Sequence, residues 1–123
     1  MANESPFIIE HHGDITVITA SSEVERLPES ALDQAAAMVL ASLRKDPPSV
    51  LIFDLSQVDF VGSMFLSFLL RCHKRVKEHN SDVEVCIAGA SANAKELLHM
   101  TSLDTVWPLY NSTKEAIAAL SVD

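Results

Sequence analysis

The strongest constraint on the fold of this chain is the run VLIFDL at residues 50–55, in which four apolar residues stand in a row before Asp54. Such a run has no polar face, which is typical of a strand covered on both sides of a sheet. Pro47 and Pro48 stand just before it and end the helix that the preceding sequence predicts. We therefore expect residues 50–55 to form the central strand of a sheet.

Strands and helices are predicted to alternate on both sides of this strand. FIIEHHGDITVITAS alternates around a turn at His12, Gly13 and Asp14, which indicates a hairpin with strands near 7–11 and 15–20. Helical segments are indicated at LPESALDQAAAMVLASLRKD, from Ser63 onward, near 92–100 and near 112–120, and strand segments at DVEVCIAG and TVWPLY. The helix after Ser63 has the apolar stripe Phe65, Leu69, Cys72 and Val76. We expect an α/β fold whose mostly parallel sheet has about four to five strands, with about four helices.

The size of the chain predicts one domain. Its 123 residues suffice for a single core, and 48% of them are hydrophobic with only 3 Gly and 5 Pro. We expect residues 1–123 to form a single domain with its core at about 7–120.

The charge of the chain argues against several kinds of partner. The formal net charge of −8 repels phosphate backbones and anionic lipid surfaces, so we expect no nucleic-acid partner. No apolar stretch approaches the roughly 20 residues of a membrane span, and the start MANESPFIIE does not resemble a secretory signal. Cys72 and Cys86 stand in apolar segments and are expected to be buried thiols. We expect a cytoplasmic protein.

The sequence offers no pattern of reactive residues that indicates catalysis. It contains no glycine-rich phosphate loop, no metal signature and no recognisable nucleophile with its base. His11 and His12 are adjacent in a strand, where side chains point to opposite faces and do not readily chelate one ion. His99 and Trp107 have no companions that suggest chemistry. We expect no enzyme activity, no cofactor and no metal.

The stretch VLIFDLSQVDFVGSMFLSFLL resembles the central motif of the STAS domain, named for sulfate transporters and anti-sigma factor antagonists. The family motif is similar to an apolar strand, Asp-Leu, an aromatic, an aliphatic and then Asp-Ser-Ser-Gly at the start of a helix. ITVITASSEVE and GASANAKELLHMTSLDTVWPLYNSTKEAIAAL extend the resemblance from about residue 7 to 120. It implies a STAS-like fold and the function of a stand-alone anti-sigma factor antagonist, with an anti-sigma factor or Ser/Thr protein kinase as partner.

The chain departs from this motif at the residues that regulate binding in the family. Gly62 stands where the usual Asp is, Ser63 matches the first Ser, Met64 occupies the second and Phe65 replaces the Gly. The resemblance implies that the second Ser is phosphorylated by the partner, which releases the complex. Met64 cannot be phosphorylated, so we expect binding without that switch.

The resemblance also places a partner-binding surface around this turn. Ser22 stands where a Gly is common and Glu25 where an Asp is common, in the loop before the first helix. We expect partner contacts from the following residues: Ser22, Glu25, Gly62, Ser63, Met64 and Ser67.

Several residues of this surface have simpler interpretations. Met64 can instead fill a gap in the core, since Met adapts to irregular spaces. Ser63 is by default the N-cap of the helix, and a substitute phosphorylation site is the other interpretation. Ser67 is an exposed polar residue, whether or not it contacts a partner. An exposed Met64 and Phe68 would also suit self-association as a homodimer.

A second function class remains open from the sequence. Other STAS domains are associated with nucleotide, lipid or anion recognition. The basic strip of Arg71, Lys74, Arg75 and Lys77 is ordinarily a solvated helix face, yet it also suits a sensor module that binds a small ligand.

Overall fold

The computed structural model describes residues 6–121 and contains five strands and four helices in an α/β arrangement. The elements are β1 Phe7–His12, β2 Ile15–Ala20, α1 Glu29–Lys45, β3 Val50–Asp54, α2 Ser63–His79, β4 Glu84–Ala88, α3 Ala92–Met100, β5 Leu109–Tyr110 and α4 Thr113–Leu120. Two short 3-10 helices lie at Ser22–Glu25 and Leu103–Thr105. The predicted hairpin, helices and strand segments are confirmed to within a few residues.

The sheet has the strand order β1-β2-β3-β4-β5. The hairpin β1–β2 is antiparallel and all later pairs are parallel, with Ile52 of β3 level with Val17 on one side and Cys86 on the other. Leu51, Ile52 and Phe53 are at most 1% exposed. The prediction of a central strand covered on both sides is therefore confirmed.

Two apolar layers cover the sheet. On one face, side chains of α1, α2 and α3 pack against residues such as Leu51 and Phe53 and enclose Trp107. On the other face, Ala116 of α4 packs against residues such as Val17 and Ile52. Both layers are built from alternate residues of the same strands, because successive side chains of a strand point to opposite faces.

The buried stripe of α2 is wider than the sequence pattern indicated. Phe65, Leu69, Cys72 and Val76 are buried as predicted, and Phe68 joins them at 1% exposure. The ring of Phe68 stacks on Phe7 with centroids 4.4 Å apart. The expectation of an exposed Phe68 was wrong, because a helix that covers a sheet buries positions i+3 as well as i+4.

A hydrogen bond joins α2 to the segment before β5. The indole N–H of Trp107, a fully buried residue, donates to His73 Nδ1 over 3.0 Å. His73 therefore acts as a neutral acceptor, with its proton on the other ring nitrogen. Burial lowers the pKa of His73 below its ordinary value of 6.5, and the charge of Lys77 lowers it further.

Both cysteines are free and buried, in agreement with the sequence. Burial raises the pKa of Cys72 and of Cys86 to about 12. Thiols with such pKa values carry almost no reactive thiolate at neutral pH.

Candidate partner-binding site

Three loops meet at one edge of the sheet. They follow the parallel strands β2, β3 and β4 and cover residues 21–28, 55–62 and 89–91. The carboxyl ends of parallel strands lie at the same edge, which is where sheets of this kind commonly carry their binding sites.

Asp59 ties the three loops together through its backbone. Its N–H donates to Glu25 Oε2 over 2.9 Å, and its carbonyl accepts from Ser91 Oγ over 2.9 Å. The Ser91 hydroxyl oxygen in turn accepts from Ala94 N–H over 3.1 Å, as the N-cap of α3. One carboxylate oxygen of Glu25 thus has an internal structural role, which the sequence did not reveal.

The loop between β3 and α2 is folded by its own backbone contacts. Asp54 Oδ1 accepts from Ser56 N–H over 2.9 Å, and Val58 N–H donates to Leu55 O over 3.0 Å. Val58 and Val61 are buried, at 2% and 3% exposure. Phe60 lies between these two valines and is 61% exposed, which the sequence did not indicate. An exposed aromatic ring is a type of side chain that is enriched in protein interfaces.

The N-cap of helix α2 lies one residue earlier than predicted. Gly62 is the N-cap, with φ −85° and ψ 173°, and its carbonyl accepts from Leu66 N–H over 2.9 Å. Ser63 is the first helical residue and is exposed. The prediction that Ser63 caps the helix was wrong, because Gly adopts the extended N-cap conformation without a side chain.

Met64 lies at the surface. Its side chain is 40% exposed, while that of the next residue, Phe65, is 3% exposed. The interpretation of Met64 as a core residue was wrong, because the buried face of α2 is fixed by Phe65 and its partners. Ser67 is exposed and lies three residues further along the same helix, so it lies beside Met64.

A groove of about 460 Å³ separates the start of α2 from the segment that leads into α1. Its lining consists of Val24, Glu25, Leu27, Glu29, Leu32, Phe60, Gly62, Ser63, Met64 and Phe65. The predicted residues Glu25, Gly62, Ser63 and Met64 are thus brought together. Ser22 and Ser67 are exposed but lie outside the lining.

Within residues 6–121 there is no group of three His, Cys, Asp or Glu side chains arranged to hold a metal ion. His11 Nδ1 is 3.2 Å from Thr16 Oγ1, and His12 is 3.7 Å from the carboxylate of Glu10. In the same part of the chain, no helix has the length and apolar character to cross a membrane.

The chain is similar to a family and to individual proteins of known sequence or structure. The STAS domain profile matches residues 2–116. The anti-sigma-F factor antagonist RsfB of Mycobacterium tuberculosis is 24% identical over 109 residues, which cover 89% of this chain and 84% of that protein.

Two solved structures show the same fold. An anti-sigma-factor antagonist (STAS) domain protein from Planctomyces limnophilus is 32% identical with a TM-score of 0.80, over 97% of this chain and 100% of that one. An anti-sigma factor antagonist from Mycobacterium paratuberculosis is 30% identical with a TM-score of 0.72, over 93% and 92% of the two chains. The predicted fold is therefore confirmed.

Proposed function

The chain belongs to the STAS domain family, and from this premise we propose that it is an anti-sigma factor antagonist. It would bind an anti-sigma factor or Ser/Thr protein kinase through the turn around Ser63 and Met64. Binding would sequester the partner, so that the protein acts by occupancy and carries out no reaction of its own. Its place of action is the bacterial cytoplasm, where a sigma factor and its regulators are found.

The observation that carries this proposal is the exposed apolar surface at the start of α2. Phe60 and Met64 are 61% and 40% exposed, beside a groove with an apolar floor. Exposed aromatic and Met side chains are enriched in protein interfaces. Met64 lies on α2, and the loop that carries Phe60 is held by the contacts of Asp59, so we expect the surface to be ordered before a partner arrives.

Because residue 64 is a methionine, the charge of the proposed interface cannot change by phosphorylation at this position. A phosphate at a helix start would add about 1.5 to 2 negative charges and would disrupt a close apolar contact. A thioether cannot be phosphorylated, so ATP-dependent release at this position is absent. The complex is then controlled by the amounts of the two proteins.

The experiment is a quantitative pull-down from a lysate of the source bacterium, with captured proteins identified by mass spectrometry. The baits are the native chain, Met64→Asp and the matched control Met100→Asp, since Met100 is 73% exposed at the far end of α3. We expect an anti-sigma factor or Ser/Thr protein kinase with the native chain and with Met100→Asp, and its loss with Met64→Asp. Equal capture by all three baits would remove Met64 from the interface, and capture of no such regulator would refute the proposed function.

The lost switch has its own test. The captured kinase and ATP should leave the native chain unmodified at residues 62–67, as read by intact mass and peptide mapping. Met64→Ser should accept one phosphate if Gly62 and Phe65 leave the site competent. Phosphate on Ser63 of the native chain would contradict a constant interface.

A further inference from the structure

The groove beside Met64 is an open surface feature. Five of its ten lining residues are exposed, including Glu25, Glu29 and Phe60. Small-molecule sites usually bury about 70 to 90% of their ligand. A groove with so much of its lining in solvent matches the side chains of a protein segment better than an enclosed small molecule.

The inner part of the groove is apolar. Val24, Leu32 and Phe65 form its floor and are 6%, 4% and 3% exposed. Phe60 and Met64 stand at its mouth with large exposed fractions. An aliphatic or aromatic side chain that enters here covers apolar surface on several sides, and the removal of that surface from water stabilises binding.

The rim of the groove is acidic. Its lining contains the acidic residues Glu25 and Glu29 and no basic residue. The two segments around it, 21–33 and 57–67, add Glu23, Asp33 and Asp59 and the single base Arg26. Asp33 is 3.7 Å from Arg71 of α2. The other four carboxylates form no ion pair within residues 6–121. Their charges favour a partner that brings cations to this rim.

We propose that the groove binds a protein segment in which one apolar anchor side chain is flanked by Lys or Arg. The anchor enters between Phe60 and Met64, and the basic residues face Glu25 and Glu29. This inference rests on the proposed function in one respect: the segment would belong to the anti-sigma factor or kinase. It adds the chemistry by which that partner is recognised.

The test uses peptides, so that it does not depend on the identity of the partner. A phage library of short random peptides is selected against the full chain, and enriched sequences are synthesised with a fluorophore. Their Kd values are measured by fluorescence anisotropy. We expect the enriched peptides to combine an aliphatic or aromatic residue with neighbouring Lys or Arg.

Matched variants locate the binding. Phe60→Ser should weaken the peptides at least about tenfold, because it removes an apolar wall, while Met100→Ser should leave Kd unchanged. Glu29→Gln should weaken them by up to about fivefold at low salt, and this difference should shrink at high salt because exposed charges are screened. Glu84→Gln is the control, since Glu84 is exposed at the opposite end of the parallel strands.

Three results would overturn the inference: no enrichment of peptides, enriched peptides without basic residues, or peptide Kd values that are unchanged by both Phe60→Ser and Glu29→Gln. Circular dichroism of each variant separates loss of binding from loss of fold. If the peptides fail while the pull-down captures an anti-sigma factor, only the recognition chemistry is wrong. If basic peptides bind in the groove while no such regulator is captured, the inference about the groove is supported and the proposed function is refuted.

Discussion

Gly89 allows the loop that leads to Met64 to lie close to the end of β4, and its replacement gives a quantitative prediction. Gly89 has φ +72°, and a Cβ built on it would lie 2.9 Å from Ser56 Cβ and 3.3 Å from Ser56 Cα. Gly13 has φ +65° but no atom within 4 Å of such a Cβ. The two glycines therefore share a left-handed backbone and differ in the space around them.

Both Gly89→Ala and Gly13→Ala should lose about 1 to 2 kcal/mol of unfolding free energy from the left-handed backbone alone. Gly89→Ala should lose about 1 to 3 kcal/mol more, the usual range for overpacking, because Ser56 belongs to a tightly hydrogen-bonded turn. Any change in the entropy of the unfolded chain is similar for the two variants and cancels in the difference.

Urea unfolding followed by circular dichroism measures this difference. We expect a lower midpoint for Gly89→Ala than for Gly13→Ala, with similar slopes. Equal midpoints would show that the Ser56 loop moves freely, and that the close approach at Gly89 does not hold it in place.

Three further predictions concern other contacts. The unfolding free energy should fall as pH drops below about 6.5 and through the lowered pKa of His73, because the unfolded chain binds the proton more readily. This component should be absent in His73→Gln, and an equal pH profile for the two proteins would mean that the pKa of His73 is not lowered in the folded chain. Iodoacetamide at pH 8 should not modify Cys72 or Cys86 in the native protein, because burial raises the pKa of each thiol to about 12. It should modify both in urea. Rapid labelling of the native protein would contradict their burial. Glu25→Ala should speed amide hydrogen exchange at Asp59, because it removes the acceptor of that N–H. Glu25→Gln retains an acceptor and should keep the exchange rate near that of the native chain. Equal exchange rates in the two variants would refute the role of this hydrogen bond in joining the loops.

The elements of the fold were predictable because each has a local pattern. The unbroken run VLIF indicates a strand buried on both faces. Apolar residues of α1 recur at helical spacing, and those such as Leu32, Ala36 and Leu43 are buried. The position of Phe68 was missed because the width of a buried helical stripe depends on what the helix packs against.

The contacts that shape the candidate site were not predictable from the sequence. Glu25 and Asp59 are 34 residues apart, as are His73 and Trp107, and no local pattern links such pairs. The exposure of Phe60 likewise depends on how the loop is folded between its two buried valines. The turn was singled out because Gly62, Met64 and Phe65 all depart from the family motif within four residues.

The most direct test of the account is the affinity of the purified regulator captured by the pull-down, measured by isothermal titration calorimetry with and without prior incubation in Mg-ATP. We predict that Met64→Asp weakens binding at least about tenfold, that Met100→Asp leaves it unchanged, and that ATP does not release the native complex. Equal affinities for Met64→Asp and the native chain, or release of the native chain with phosphate on Ser63, would contradict it.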